Sequence, residues 1–152
     1  MAATKYGKHI ITDFKPLARH GVAERDPADV AKAMKSHLPL LNLDDEIIKG
    51  AFYVECVWIW PGKEFYPTKA EPRAHAHDYD EVITFFGSDF DNPHDLCGEI
   101  EIWLEDEQYM LTESCLIYVP KGMMHCPLVI HRVDRPIFHF AAGTGGAYNQ
   151  DE

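Results

Sequence analysis

Short apolar stretches, each ended by a turn signal, follow one another from residue 51 to residue 142. The first, 51–60, is rich in aromatic and β-branched residues and stops at a Pro-Gly pair, which is typical of a strand. Another, 99–104, alternates acidic and apolar residues, so its apolar side chains are predicted to face inward. About eight such strands, joined by short connections and without intervening helices, predict an antiparallel all-β sandwich or barrel.

One helix is predicted ahead of the strands. Asp26 is a good N-cap residue, and Pro27 suits the first helical position. The apolar stripe that follows runs as far as His37, and Pro39 ends it. We therefore predict that residues 1–49 form an N-terminal arm that contains this short helix and packs on the barrel.

The charge balance limits the kinds of partner. The 14 basic and 25 acidic residues give a net charge of −11, and there is no Lys/Arg cluster of the kind that binds nucleic acid or an anionic membrane. No apolar run reaches the length of a membrane helix, and the N-terminus has no apolar signal core. We therefore predict a cytoplasmic protein, with its barrel at 50–142 and a flexible tail at 143–152.

Two histidines on one strand face suggest half of a metal site. His75 and His77 are separated by one alanine, so in an extended chain both imidazoles point the same way. Glu81 is the nearest candidate carboxylate, because a tight turn over residues 78–80 brings it back beside the pair. His125 is the candidate from far along the chain.

The motifs around these residues are similar to those of a known superfamily. They read His75-x-His77-x-x-x-Glu81 followed by Gly87, and later Pro120-x-Gly122-x-x-His125. This order resembles the two motifs of the cupin superfamily, whose fold is a double-stranded β-helix, a small jelly-roll barrel. The resemblance covers roughly residues 50–142. It implies that His75, His77, Glu81 and His125 are four metal ligands inside the barrel.

The chain departs from the family pattern at turn positions. Lys69 and Ser114 stand where the family usually has glycines, and Val129 stands where it has an asparagine. Gly87 lies one residue closer to Glu81 than the corresponding glycine of the family motif does. These departures weaken the match of the backbone more than the match of the ligands.

Coordination chemistry narrows the metal that the resemblance implies. Four protein ligands fill a tetrahedral zinc site, whereas an octahedral ion keeps two positions open for substrate. We therefore expect one Fe(II) or Mn(II) per chain, while purified samples can carry nickel, cobalt or zinc. A barrel without metal is the alternative.

Further candidates surround the ligands. By strand parity His131 shares a face with His125, and His139 lies on an adjacent strand, so each is a candidate proton relay or hydrogen-bond partner of a ligand. For both, a surface or packing role is the alternative. The candidate pocket walls are aromatic: Trp60, Tyr66, Phe85 and Phe138.

The resemblance implies an enzyme that acts on a small organic acid, enol or phenol, and a dioxygenase is the first hypothesis. Glu81 is then both ligand and general base. A redox-neutral isomerase, lyase or decarboxylase is the second hypothesis, and a non-catalytic binding protein is the third. The apolar stretch 51–60 and the arm also predict a homodimer formed through the sheet or the arm.

Overall fold

The computed structural model describes residues 5–15, 37–62 and 73–146. The predicted helix that begins at Asp26 and the candidate pocket residue Tyr66 lie outside the described residues.

Eight strands and one short 3-10 helix, Gly7–His9, make up the described chain. The strands are β1 (His37–Leu43), β2 (Tyr53–Ile59), β3 (Glu81–Phe86), β4 (Asp95–Leu104), β5 (Glu107–Glu113), β6 (Cys115–Val119), β7 (His125–Val133) and β8 (Ile137–Gly143).

All strand pairs are antiparallel, and they form two sheets. The five-stranded sheet has the order β1-β2-β8-β3-β6, and the three-stranded sheet has the order β5-β4-β7. Strands that are far apart in sequence, such as β2 and β8, are neighbours in space, as in a jelly roll. The predicted all-β fold is confirmed.

The N-terminal edge of the barrel differs from the prediction. His37 was expected to close a helix, but it pairs with Ile59 in the five-stranded sheet. Pro39, the predicted helix stop, lies within β1, where the register shifts before Leu41. An edge strand tolerates proline because one side of its backbone has no strand partner. The stretch assigned to the arm therefore contains a strand of the barrel sheet.

The core fills the space between the two sheets. Its most deeply buried apolar side chains come from both: Ile59, Ile83, Phe85 and Ile137 on the five-stranded sheet, and Leu96, Ile100 and Ile102 on the three-stranded sheet. The prediction that Ile100 and Ile102 face inward is confirmed, because both are fully buried. None of the described helices has the length and apolar character needed to cross a membrane.

Candidate metal centre

The two motifs meet through their backbones. His75 and His125 exchange hydrogen bonds, with N–H to O distances of 3.0 and 2.9 Å, and form an isolated bridge. His75 therefore lies in a single bridge rather than in the full strand predicted from its sequence. The Gly122 N–H donates to the His77 carbonyl at 2.9 Å, and the Lys121 N–H donates to the Asp80 carboxylate at 2.9 Å. These bonds hold the loop before β7 against the segment before β3.

All four predicted ligands come together. The candidate ligand atoms of His75, His77 and His125 lie within 4.8 Å of one another. The Oε2 atom of Glu81, the first residue of β3, lies 3.3 Å from His77 Nε2 and 3.2 Å from His125 Nε2. None of the four side chains is exposed, and the largest exposed fraction among them is 3%.

Backbone carbonyls fix the orientation of two of the rings. His75 Nδ1 donates to the carbonyl of Arg73 at 2.6 Å, and His125 Nδ1 donates to the carbonyl of Met123 at 3.2 Å. Because a carbonyl only accepts, each Nδ1 carries the proton. In the neutral ring Nε2 then has the lone pair, which is the arrangement of a metal-ligating histidine.

These residues fit a divalent metal ion. No donor among the described residues makes a hydrogen bond of good geometry to Glu81 Oε2, although this atom is buried. Beside it lies the lone pair of His125 Nε2, so two acceptors face each other away from water. Such an arrangement is costly unless a proton or a cation lies between them. A cation bound to three imidazoles and one carboxylate satisfies all of them at once.

The electrostatics suit the same donor set. Burial raises the pKa of Glu81, but when His125 and His77 carry a proton on the Nε2 atoms that face the carboxylate, hydrogen bonds from these rings outweigh burial and lower the pKa to about 2. Burial also lowers the pKa of His75. An ionised carboxylate and a neutral imidazole are the forms that bind metal.

Tyr79 and two glycines support the ligands, and sequence reasoning missed this role. The Tyr79 ring stacks on His77, with centroids 4.8 Å apart and planes 5° apart. A Cβ at Gly143 or at Gly145 would lie 2.3 Å from a carbon of that ring. The glycines at the start of the predicted tail therefore allow Tyr79 to pack beside His77.

Close packing also explains why residue 87 is a glycine. A Cβ at this position would lie 2.0 Å from the carbonyl oxygen of Asp95. The Gly87 N–H also donates to Ser114 Oγ at 2.9 Å. Ser114, which departs from the family pattern, thus makes a hydrogen bond that a glycine at that position cannot make.

His131 is placed away from the four ligands. Its Nε2 atom lies 2.8 Å from Glu101 Oε2 on the outer face of the three-stranded sheet. Strand parity misplaced it because Cys126 has a φ of +66° and the register shifts between Ile102 and Leu104. Beyond this irregularity Ile130 faces the core instead.

His139 and Phe85 lie on the inner face of the five-stranded sheet, where their rings stack with centroids 4.7 Å apart. Phe138, the next residue along β8, packs against Trp58 at 5.1 Å on the outer face. Trp60 follows β2, is 40% exposed and lies 6.2 Å from Trp58. The structure thus brings neither Trp60 nor Phe138 to the ligands.

Two polar residues of β2 were also missed. Tyr53 and Glu55 share the inner face of the five-stranded sheet with Val57 and Ile59, which belong to the core. The available signal was that Glu55 is the only charged residue of the stretch 51–60. It was overlooked because the apolar residues on both faces of that stretch obscured which side is inward.

No family model and no curated protein matches this chain. Among solved structures, an oxalate oxidase in complex with the substrate analogue glycolate is 12% identical over 90% of this chain and 67% of its own, with a TM-score of 0.50. A recombinant oxalate oxidase in complex with glycolate is 12% identical over 76% of this chain and 54% of its own, with a TM-score of 0.48. This chain therefore spans about half of that oxidase.

A sugar phosphate isomerase of the cupin superfamily from Silicibacter pomeroyi is 19% identical over 78% of this chain and 65% of its own, with a TM-score of 0.47. At these identities the likeness concerns the fold alone. The chain has the cupin fold.

Proposed function

We propose that this chain is a metal-dependent enzyme that binds Fe(II) or Mn(II) and acts on a small organic acid, enol or phenol as a dioxygenase. The observation that carries the proposal is the buried convergence of three imidazoles and one carboxylate. Four protein ligands leave two positions of an octahedral ion for substrate and O2. When bound, the ion supplies Lewis-acid and redox chemistry at those positions.

The protein's own groups hold and shield this centre. The carbonyls of Arg73 and Met123 orient His75 and His125, so neither ring has to reorganise on binding. Tyr79 covers one face of His77. Glu81 supplies negative charge that balances the cation, and an ionised carboxylate can also accept a proton from a substrate.

A redox-neutral isomerase, lyase or decarboxylase is the alternative. The observation that favours it is a second carboxylate, Glu55, on the inner face of the sheet that carries Glu81. Proton-transfer reactions need acid and base groups beside the substrate, whereas oxygen insertion does not require them.

Reconstitution with single metals tests the proposal. The apoprotein is loaded anaerobically with Fe(II), Mn(II) or Zn(II) and checked for one ion per chain. O2 uptake is then recorded on a panel of enols, phenols and small organic acids. We expect uptake with Fe(II) or Mn(II) and none with Zn(II).

Two other results would contradict dioxygenase chemistry. Turnover without O2 that also proceeds with Zn(II) would establish the redox-neutral alternative. If the fully metal-loaded protein shows neither O2 uptake nor turnover with any compound of the panel, a non-catalytic binding protein is the remaining hypothesis.

A further inference from the structure

A carboxylate lies inside the barrel apart from the ligands. Val57 and Ile59 belong to the core, and Glu55 shares their face because side chains alternate along β2. The cross-strand partner of Glu55 in β8 is Ala141, which is itself buried and pairs with Ile83 of β3. Glu55 is half-buried, so part of this inward-facing side chain remains accessible to solvent.

A tyrosine orients this carboxylate. The Tyr53 hydroxyl donates to Glu55 Oε2 at 3.1 Å, and Tyr53 is 3% exposed. An ionised carboxylate accepts about four hydrogen bonds, so this contact fixes the group and leaves capacity for a ligand. Tyr53 therefore positions the Glu55 carboxylate from a buried place on the same strand face.

The strand register sets the separation from the metal centre. Glu81 pairs with Gly143 of β8, and Gly143 pairs with Tyr53 of β2. Two strand spacings amount to about 10 Å, and Glu55 lies one pleat further along β2. Between β2 and β3, the residues of β8 that face inward opposite Tyr53 and Glu55 are Gly143 and Ala141, which have the smallest side chains.

Electrostatic coupling agrees with this placement. Burial lowers the pKa of His139, while the carboxylates of Glu55 and Glu81 both raise it. His139 pairs with Val57 and with Phe85, so both carboxylates act on one imidazole of the inner face. Glu55 and Glu81 therefore face the same interior from two different strands.

We infer that Glu55, held by Tyr53, binds the end of the substrate remote from the metal, and that this end is a hydrogen-bond donor such as an ammonium or hydroxyl group. The inference rests on the proposed function, in which the metal binds the substrate, and it specifies the chemical class of the substrate's other end. A second carboxylate or a phosphate at that end would be repelled by Glu55. The substrate then has chelating oxygen atoms at one end and a hydrogen-bond donor at the other, and it lies between two carboxylates whose Cα atoms are about 12 Å apart.

Three ligands with the same head test the end-group preference. 2-Hydroxy-6-aminohexanoate, 2-hydroxyhexanoate and 2-hydroxyadipate share an α-hydroxy acid and end in an ammonium, a methyl and a carboxylate group. Each is titrated anaerobically into Co(II)-loaded protein, and binding is followed by the visible absorption of the ion. We expect the ammonium ligand to bind about ten-fold more tightly than the methyl ligand, and the carboxylate ligand about ten-fold more weakly.

The variant Glu55→Gln should bring both ratios to within about three-fold, because the amide has a similar shape but no charge. Its Co(II) content and its spectrum without ligand should match the wild type. Glu99→Gln is the matched control, since Glu99 lies on the outer face of the three-stranded sheet beside Arg132, and it should retain the wild-type ratios.

The inference is overturned if Glu55→Gln keeps the wild-type ratios, or if the carboxylate-ended ligand binds most tightly to the wild type. If the wild type binds Co(II) but binds the three ligands equally well, the inference is overturned while the proposed function stands. Failure to bind Co(II) at all would overturn the proposed function together with it.

Discussion

The two sheets of the barrel differ in what their outer faces present to the surroundings. The outer face of the three-stranded sheet carries Glu99 and Glu101, which lie close to Arg132 and His131. Apart from Thr84, which is fully buried, the outer residues of the five-stranded sheet are apolar or aromatic, and none in its described strands is charged. One sheet therefore suits water on its outer side, and the other does not.

An aromatic row shows how far the apolar surface extends. Rings on the three neighbouring strands β2, β8 and β3 form a row: Trp58 lies beside Phe138, Phe138 beside Phe140 on the same strand, and Phe140 beside Phe86, at centroid distances of 5.1, 6.4 and 6.2 Å. At the two edges Leu38 and Leu116 are 45% and 63% exposed. In a chain with a net charge of −11, a sheet face without charged residues and with exposed apolar edges is suited to contact with another protein surface.

The inner faces differ as well. The three-stranded sheet contributes one ligand, His125, and otherwise packs the core with side chains such as Ile100 and Ile102. The five-stranded sheet carries Glu81, Glu55 and His139 on its inner face. One sheet thus mainly packs the core, while the other carries polar residues on its inner face and no charged residue on the outer face of its described strands.

The largest expected effect is a loss of metal binding, tested with two histidines of β7. His125→Ala should abolish stoichiometric metal binding, because it removes one of four converging ligands. His131→Ala is the matched control and should bind one ion per chain, since His131 lies on the outer face beside Glu101. Metal content measured after dialysis checks both variants. Full metal content in His125→Ala, or its loss in His131→Ala, would contradict the assignment of faces.

The next effect concerns the outer faces. The homodimer predicted from the sequence stays a prediction, and we propose that a second copy of the chain covers the apolar outer face, because two such faces can meet without bringing like charges together. Leu38→Lys combined with Leu116→Lys should then convert the dimer to a monomer in sedimentation velocity. Met110→Lys, which is 47% exposed and pairs with Glu101 on the other sheet, should leave the dimer intact. A monomeric wild type would contradict the proposal.

The smallest effect is a pH dependence that arises from the inner face. Burial lowers the pKa of His139 in the folded chain, and Glu55 and Glu81 are the charged groups that oppose this shift. As pH falls below the ordinary histidine pKa of about 6.5, the unfolded chain takes up a proton that the folded chain does not. His139 therefore destabilises the fold in acid, by up to about 1.4 kcal/mol per pH unit.

Urea unfolding at pH 7.5 and 5.5 measures this contribution. With a chelator present throughout, His139→Gln should lose less free energy of unfolding between the two pH values than the wild type loses. His94→Gln, in an exposed turn, should behave as the wild type does. Equal losses in His139→Gln and the wild type would show that His139 does not titrate differently in the folded chain.

Sequence reasoning reached the ligands more easily than their surroundings. The spacing of His75, His77 and Glu81 restricts them to a short local region, and a family resemblance supplied His125. His131 was placed on the wrong face because a residue with positive φ, Cys126, interrupts the alternation of β7. The residue type of Cys126 does not predict this interruption.

Two other features depend on contacts between distant segments. Residues 37–39 read as the end of a helix because Pro39 is a strong helix stop, yet pairing with β2 makes them the start of the strand His37–Leu43. Glu55 was overlooked because apolar residues on both faces of the stretch 51–60 left its inward side undefined. Pairing partners, which a single sequence does not reveal, decided both cases.

The backbone bridge between His75 and His125 also bears on how the barrel folds. It closes a loop of 125 − 75 = 50 residues, and closing a long loop is entropically unfavourable and slows folding. A metal ion held by the same two residues joins the ends of that loop in the folded chain, where the ligands converge. Unlike a disulfide, the ion does not restrict the unfolded chain, so metal loading should stabilise the fold by an amount that rises with the free metal concentration.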